Sequence, residues 1–412
     1  MNICNKLNET KVIRDPIYSY IQVDYQIIWD LLATFEMQRL RRILQLAGTN
    51  YVFPSCEHTR FVHSLGVYEV ARKIITTVED IKNSLNEEEK VQVLCAALLH
   101  DVGHGPYSHC FENFHEVSHE EYTKLIILDE SSEVNKVLRR YDENLPSLIA
   151  SIIDHSHSNP LLYQLISSQI DADRMDYLLR DAYMSGTPYG SFDVNRIMRI
   201  MKVKDQNIVF KKSGVSAIEN YIMGRYHMYE QVYYHPVSTC AEIIFLSFLR
   251  RIKELFMQNY QFNFDILILK PFLKDGRVSV KDYVLLDDVV VNYYLKQAVN
   301  EKDEILSDLA KRLIYRKLFD YKVLTNENEL TAIKEEIKSK GYNPDYYVAS
   351  VKLRRNIYKK YGDVNYASIN IILDDGSVKE ITKVSQIVNA ISASKIVKSE
   401  DTLVYFPLIK EN

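Results

Sequence analysis

The chain has 412 residues, and 47% hydrophobic with 26% charged residues is the composition of a globular protein, not of a disordered or fibrous one. A formal charge of −4 argues against general nucleic-acid or membrane-surface binding, while leaving room for a local basic pocket. No N-terminal pattern reads as a signal peptide and no apolar run reaches the roughly 18 residues a bilayer span needs, so the expected location is the cytoplasm.

Residues 11–28, "KVIRDPIYSYIQVDYQII", set β-branched and aromatic residues around an Asp-Pro turn signal, which predicts an extended arm or hairpin over residues 1–28. From 29 the period is helical. "VYEVARKIITTVEDI", "VQVLCAALLHDV", "LLYQLISSQIDADRMDYLLRDAYM" and "AEIIFLSFLRRIKELF" place apolar residues at helical spacing, and a helical domain is predicted over 29–320. "NEEEK" at 86–90 reads as a solvated loop between helices. After about 320 the texture changes: "DYYVASVKLRR", "NYASINIILDDGSVKEIT" and "TLVYFPLI" read as strands, with "DDG" as a hairpin turn, so 321–412 is predicted to be a smaller α+β domain. Five cysteines (Cys4, Cys56, Cys95, Cys110, Cys240) are scattered, odd in number and without CxxC spacing, and read as reduced thiols.

One helical run ends in "LLHDVGHGPYSH", which brings His100, Asp101, His104 and His109 together. His63 opens another predicted helix and Asp173 lies in a third. If these helices pack side by side, His63, His100, Asp101 and Asp173 converge as a mixed nitrogen and oxygen set suited to Mg, Mn, Fe or Zn. Four protein ligands leave open positions for water and a phosphate oxygen, the arrangement of a hydrolytic centre. A lone His-Asp pair is more often a structural cap, and the pair His155 and His157 in "DHSHSNP" reads as a surface loop.

The pattern H…HD…D within "YVFPSCEHTRFVHSLGV", "LLHDVGHGPYSH" and "IDADRMDYLLRDA" resembles the HD-domain phosphohydrolases. Within them it is similar to the deoxynucleoside triphosphate triphosphohydrolases, closest in layout to shorter bacterial members that lack the sterile alpha motif of the vertebrate enzymes. The resemblance runs from about Lys11 to residue 250 and implies a mainly α-helical fold. It implies water attack at the α-phosphorus, releasing a deoxynucleoside and intact triphosphate. It makes His63, His100, Asp101 and Asp173 the metal ligands and sets His104, His109 and His119 around the triphosphate. An imidazole suits protonation of the leaving alkoxide, and Glu112 and Glu120 are placed to orient those rings. Arg60, Arg174 and Arg225 match phosphate-binding positions, with Arg174 standing where the vertebrate enzymes have lysine. Gln45, Tyr177 and Asp181 match positions that hold the deoxyribose, Tyr177 packing where a 2′-hydroxyl would fit. Tyr229 and Tyr233 border the base, Tyr229 replacing a histidine.

The resemblance also implies a homotetramer with a nucleotide activator between subunits, near "KVIRDPI", Arg41 and Arg196. Ala33 stands where the vertebrate enzymes use an aspartate to read guanine, so the activator differs or is absent. Two other readings remain at this stage: an HD phosphohydrolase acting on another nucleotide or phosphate ester, and a non-catalytic dNTP-sensing assembly protein.

Overall fold

The Asp-Pro signal closes a hairpin, β1 (Lys6–Asp15) pairing antiparallel with β2 (Ser19–Tyr25) and Asp15 standing opposite Ser19. The Asp15 carboxylate accepts the amides of Ile17 (2.8 Å) and Tyr18 (3.0 Å), which fixes the turn. The computed structural model describes residues 2–274, 276–352, 368–393 and 402–408.

Helix α1 (Arg60–Thr77) is buried on nearly every side, as a central helix must be when Phe61, Leu65, Val67, Tyr68, Val70, Ala71 and Ile74 surround its axis. It packs against α2 (Glu87–Leu99). The "NEEEK" segment is the first turn of α2 and not a loop. The Asn86 side chain accepts the Glu89 amide and Glu89 accepts the Asn86 amide, both at 2.9 Å, a capping box that starts the helix. Two short helices follow the His-Asp turn, α3 (His109–His115) and α4 (His119–Leu128).

The long helical run expected over 161–184 is interrupted. A turn of helix over Pro160–Gln164 ends, and the chain restarts as α5 (Ala172–Ser185) with Asp171 as its cap, accepting the amides of Ser168 and Arg174, each at 2.6 Å. That break sets Asp173 in the first turn of α5, which packs on α1. Strands β3 (Met201–Lys204) and β4 (Asn207–Lys211) precede α6 (Val215–Met228). A wide turn of π type, Tyr229–Tyr233, then leads into α7 (Pro236–Met257).

The helices α8 (Asp288–Ala298) and α9 (Glu304–Ile314) pack with α7 in a second apolar cluster. Beyond 320 come β5 (Asp320–Val323), β6 (Ala349–Lys352), β7 (Asn370–Ile372), β8 (Val378–Glu380) and β9 (Thr402–Phe406). Residues 345–347, expected as strand, belong to a helical turn, Pro344–Tyr347, started by Pro344 and the Asn343 cap. β5, β9 and β6 make an antiparallel sheet whose Leu403, Val404 and Tyr405 are buried with α7 and α9. β7 and β8, the hairpin across "DDG", extend the β3–β4 ribbon, with β7 parallel to β4. The strands after 320 thus share both apolar clusters with the helical part. Positions 353–355, 365–367 and 409 of the expected strands lie outside the described residues. The fold is mainly α, with small sheets of two, four and three strands. Among the described residues no single helix is long and apolar enough to cross a membrane.

Candidate active site

The packing of α1, α2 and α5 brings His63, His100, Asp101 and Asp173 to one point. His63 Nε2 lies 3.1 Å from Asp173 Oδ1 and 3.6 Å from Asp101 Oδ2. His100 Nε2 lies 3.3 Å from Asp101 Oδ1 and 3.6 Å from Asp173 Oδ1. Both rings are fixed from behind: His63 Nδ1 donates to Asp176 Oδ2 and His100 Nδ1 to the Ala97 carbonyl, each at 2.9 Å. Asp176 is itself held by Arg180 through two bonds of 2.9 Å, and Arg180 reaches Asp15 in the β1–β2 turn at 2.8 Å. Two imidazoles with their Nδ1 atoms occupied direct Nε2 at two carboxylates, and His100 Nε2 is buried with no hydrogen-bond partner. A donor set of this kind fits a divalent cation. Burial opposes a charge on His63, but Asp173, Asp176 and Asp101 outweigh it and raise its pKa to about 10 in the ion-free protein.

Beside this point stands a histidine cluster. Glu112 Oε1 is 2.8 Å from His119 Nδ1, 3.2 Å from His109 Nδ1 and 3.6 Å from His104 Nδ1. The rings of His104 and His119 stack at 3.8 Å. Burial resists the charge on Glu112, yet His109 and His119 hold its carboxyl well below the usual range. Burial and the nearby Arg60 push the His104 imidazole far down, so it stays neutral. Arg60 is itself buried, 2.5 Å from Asp101 and 2.8 Å from Ser108 Oγ. The carboxylate on the His119 ring is therefore Glu112; Glu120 is solvent-exposed at the rim.

At the other end Asp181 receives the Tyr233 hydroxyl at 2.8 Å and faces His58 Nε2 at 2.7 Å. Tyr233 meets Tyr177 and Tyr229 edge-on, at 6.1 and 5.0 Å between ring centres. Arg174 donates to the Ser168 carbonyl at 2.6 Å, and Arg225 donates to Gln169 while lying 5.6 Å from the Tyr229 ring. Gln45 is buried, and its Oε1 has no partner.

These groups share one cavity of about 510 Å³. Of the residues expected at the site, Gln45, Arg60, His63, Asp101, His104, His109, His119, Glu120, Asp173, Arg174, Tyr177, Asp181, Tyr229 and Tyr233 line it. His100, Glu112 and Arg225 stand one contact behind the wall. The motifs of the sequence did not single out His58, Asp176, Ser108, Tyr234 or Glu242, the last three of which also line the cavity. His155 is an exposed loop residue stacked on Tyr163, and among the described residues neither it nor His157 joins a group able to hold an ion. Arg41 is exposed over the Phe61 ring, and Arg196 donates to the Ser213 carbonyl.

Comparison with known proteins places this geometry. Residues 60–181 match the HD domain model and residues 192–263 the HD associated region. The uncharacterized protein YwfO of Bacillus subtilis is 42% identical over 98% of this chain and 93% of its own length. A phosphohydrolase from Bacteroides thetaiotaomicron superimposes with a TM-score of 0.85 at 29% identity, covering 98% of this chain and all of that one. The chain belongs to the HD-domain phosphohydrolases, hydrolases of phosphate esters. Within them it is homologous to the SAMHD1 deoxynucleoside triphosphate triphosphohydrolases. The Dictyostelium discoideum homolog is 29% identical over 84% of this chain and 68% of its own, and the human protein 27% over 79% and 57%.

Proposed function

We propose that this phosphohydrolase removes the whole triphosphate from deoxynucleoside triphosphates, by water attack at the α-phosphorus. One observation carries the reading: a single cavity of nucleotide size joins a His63–His100–Asp173 group able to hold a cation, with Asp101 beside it, to a triple-histidine cluster and an aspartate–tyrosine end. A divalent ion held by His63, His100, Asp101 and Asp173 would acidify water and polarise the phosphoryl group. Arg60, Arg174 and Arg225 supply positive charge toward the phosphates. Cleavage of the ester leaves an alkoxide at the 5′ position that needs a proton. The imidazoles placed to supply it are those of His104, His109 and His119, the last two oriented by Glu112. Asp181 accepts the 3′-hydroxyl, the orphaned Gln45 Oε1 faces the sugar, and the Tyr177 ring fills the space a 2′-hydroxyl would need. Tyr229 and Tyr233 border the base. The reading extends to a homotetramer with a nucleotide activator near β1, Arg41 and Arg196, proposed on the motif resemblance alone.

The test is product analysis of the purified protein with each dNTP, alone and in pairs, in Mg or Mn. Deoxynucleoside and intact triphosphate are expected, with His100→Ala and Asp101→Ala each lowering turnover by about a thousandfold or more. Nucleoside monophosphate with pyrophosphate would overturn the reaction type, and turnover surviving both substitutions would overturn the site.

A further inference from the structure

The Asp-Pro turn of the N-terminal hairpin reaches the cation site through side chains. Asp15 divides its carboxylate: Oδ1 takes the amides of Ile17 and Tyr18 and closes the turn, and Oδ2 takes Arg180 Nη1 at 2.8 Å. Arg180 turns its other edge to Asp176, Nε on Oδ2 and Nη2 on Oδ1, each at 2.9 Å. Asp176 Oδ2 is also the atom that meets His63 Nδ1, at 2.9 Å. Asp15, Arg180, Asp176 and His63 are each at most 5% exposed. A line of buried contacts thus runs from the hairpin turn to the ring of His63.

Docking the hairpin does not by itself require this line. Ile21 and Val23 of β2 are fully buried, and the Tyr68 hydroxyl of α1 donates to the Gln22 carbonyl at 2.9 Å. Burying Asp15, Arg180 and Asp176 costs desolvation that apolar residues of similar volume would avoid. What the charges add is geometry. A planar guanidinium bound at both edges cannot swing, so it fixes the Asp176 carboxylate, and with it the tilt of the His63 ring. His63 Nε2 is thereby kept 3.1 Å from Asp173 Oδ1. We propose that Asp15 is a positioning residue of the cation site, holding His63 in its ligating orientation through Arg180 and Asp176. Without the second Asp15 oxygen, Arg180 Nη1 loses its acceptor in the turn and the fork is free to rock about Asp176.

The inference rests on His63 being a cation ligand, and titrating Mn into the ion-free protein tests it by affinity, without turnover. Asp15→Asn separates the two duties of the carboxylate: its amide oxygen still accepts the turn amides, while its NH2 group cannot accept from Arg180. This variant is expected to bind Mn about five- to tenfold more weakly than the wild type. In Asp15→Asn/Asp176→Asn the affinity should equal that of Asp176→Asn alone, because the line is already cut. Tyr68→Phe, which removes a hairpin bond outside the line, should lose stability in urea yet keep wild-type Mn affinity. Arg180→Lys is the second test should Asp15→Asn not fold. Its single ammonium keeps the charge but cannot grip both carboxylates as the fork does, so Mn binding should weaken here too. Wild-type affinity in folded Asp15→Asn or in Arg180→Lys, losses that multiply in the double variant, or an equal loss in Tyr68→Phe would overturn the proposal. A wild-type protein that takes up no Mn would overturn the cation site instead, a result distinct from the others.

Discussion

His63 can present Nε2 to a cation only while something occupies Nδ1, and that group is Asp176, fully buried at 2.9 Å and anchored by Arg180. Burial alone would raise the Asp176 pKa, but Arg180 and His63 bring it down to about 2, so it is an acceptor at any working pH. Asp176→Asn keeps the shape and removes the charge. It is expected to weaken metal affinity about ten- to a hundredfold, measured by titrating Mn into the ion-free protein, with little change in the circular dichroism spectrum. Affinity equal to that of the wild type would show that the ring needs no support. This is also where residue-level reading of the sequence stops. His63, His100, Asp101 and Asp173 were legible because they sit in dense, specific stretches such as "FVHSLGV" and "HDVGHGPYSH". Asp176 and His58 were not, because each acts through a partner 113 or 123 residues away, and nothing local marks the pairing. Glu242 is one acid in an amphipathic helix until α7 is set against Gly48.

Between elements, the site depends on how closely α1 approaches α5. Gly66 lies on the shared face, and a Cβ there would land on the Asp176 carboxylate, with Arg180 Nη2 only 2.5 Å away. Propensity and packing make opposite predictions here, which gives Gly66→Ala its value. In a free helix the change favours the folded state by about 1 kcal/mol. In this interface it forces the helices apart at the buried network, a cost of about 1–3 kcal/mol. Packing is expected to win, so urea unfolding should show Gly66→Ala less stable than the wild type, with weaker metal binding alongside. A stabilised variant would mean that the helices relax freely. The same contrast explains which elements the sequence revealed. Apolar periodicity located the helices, since it reports a buried face. It could not place their ends: the capping box at Asn86 turned an expected loop into a first turn, and Asp171 broke an expected continuous helix. The ends matter more for function, because Asp173 reaches the site from the first turn that Asp171 creates.

Over the whole molecule, buried acids tie segments of the cavity wall to the apolar clusters behind them. The strands after 320 were visible as alternating patterns, but the parallel pairing of β7 with β4 links residues too distant for any local signal. Asp288, at the start of α8, is one such joint: it accepts the amides of Leu44 and Tyr107, each at 2.9 Å, tying two cavity-wall segments to the second cluster. Burial pushes its pKa up from 3.8 to about 7, against the pull of those two amides. A carboxyl whose pKa is raised on folding binds its proton more tightly in the folded state. The stability it contributes is complete below the unfolded value, near 4, and is lost as pH rises through 7. The full difference corresponds to about 4 kcal/mol at most. Glu242 and Asp171, also pushed up to about 7 by burial, act in the same window. Asp101, Asp173 and Glu112, held low by their cationic neighbours, lose their contribution only in stronger acid. Asp288→Asn accepts at one oxygen and so lowers stability at every pH, but it carries no proton to lose. Urea unfolding in EDTA at pH 4.5 and 7.5 is therefore expected to show a smaller fall in stability for the variant than for the wild type. Equal falls would mean that Asp288 ionises in the folded protein as it does in the unfolded chain, and that the joint is held by hydrogen bonds to a carboxylate at both pH values.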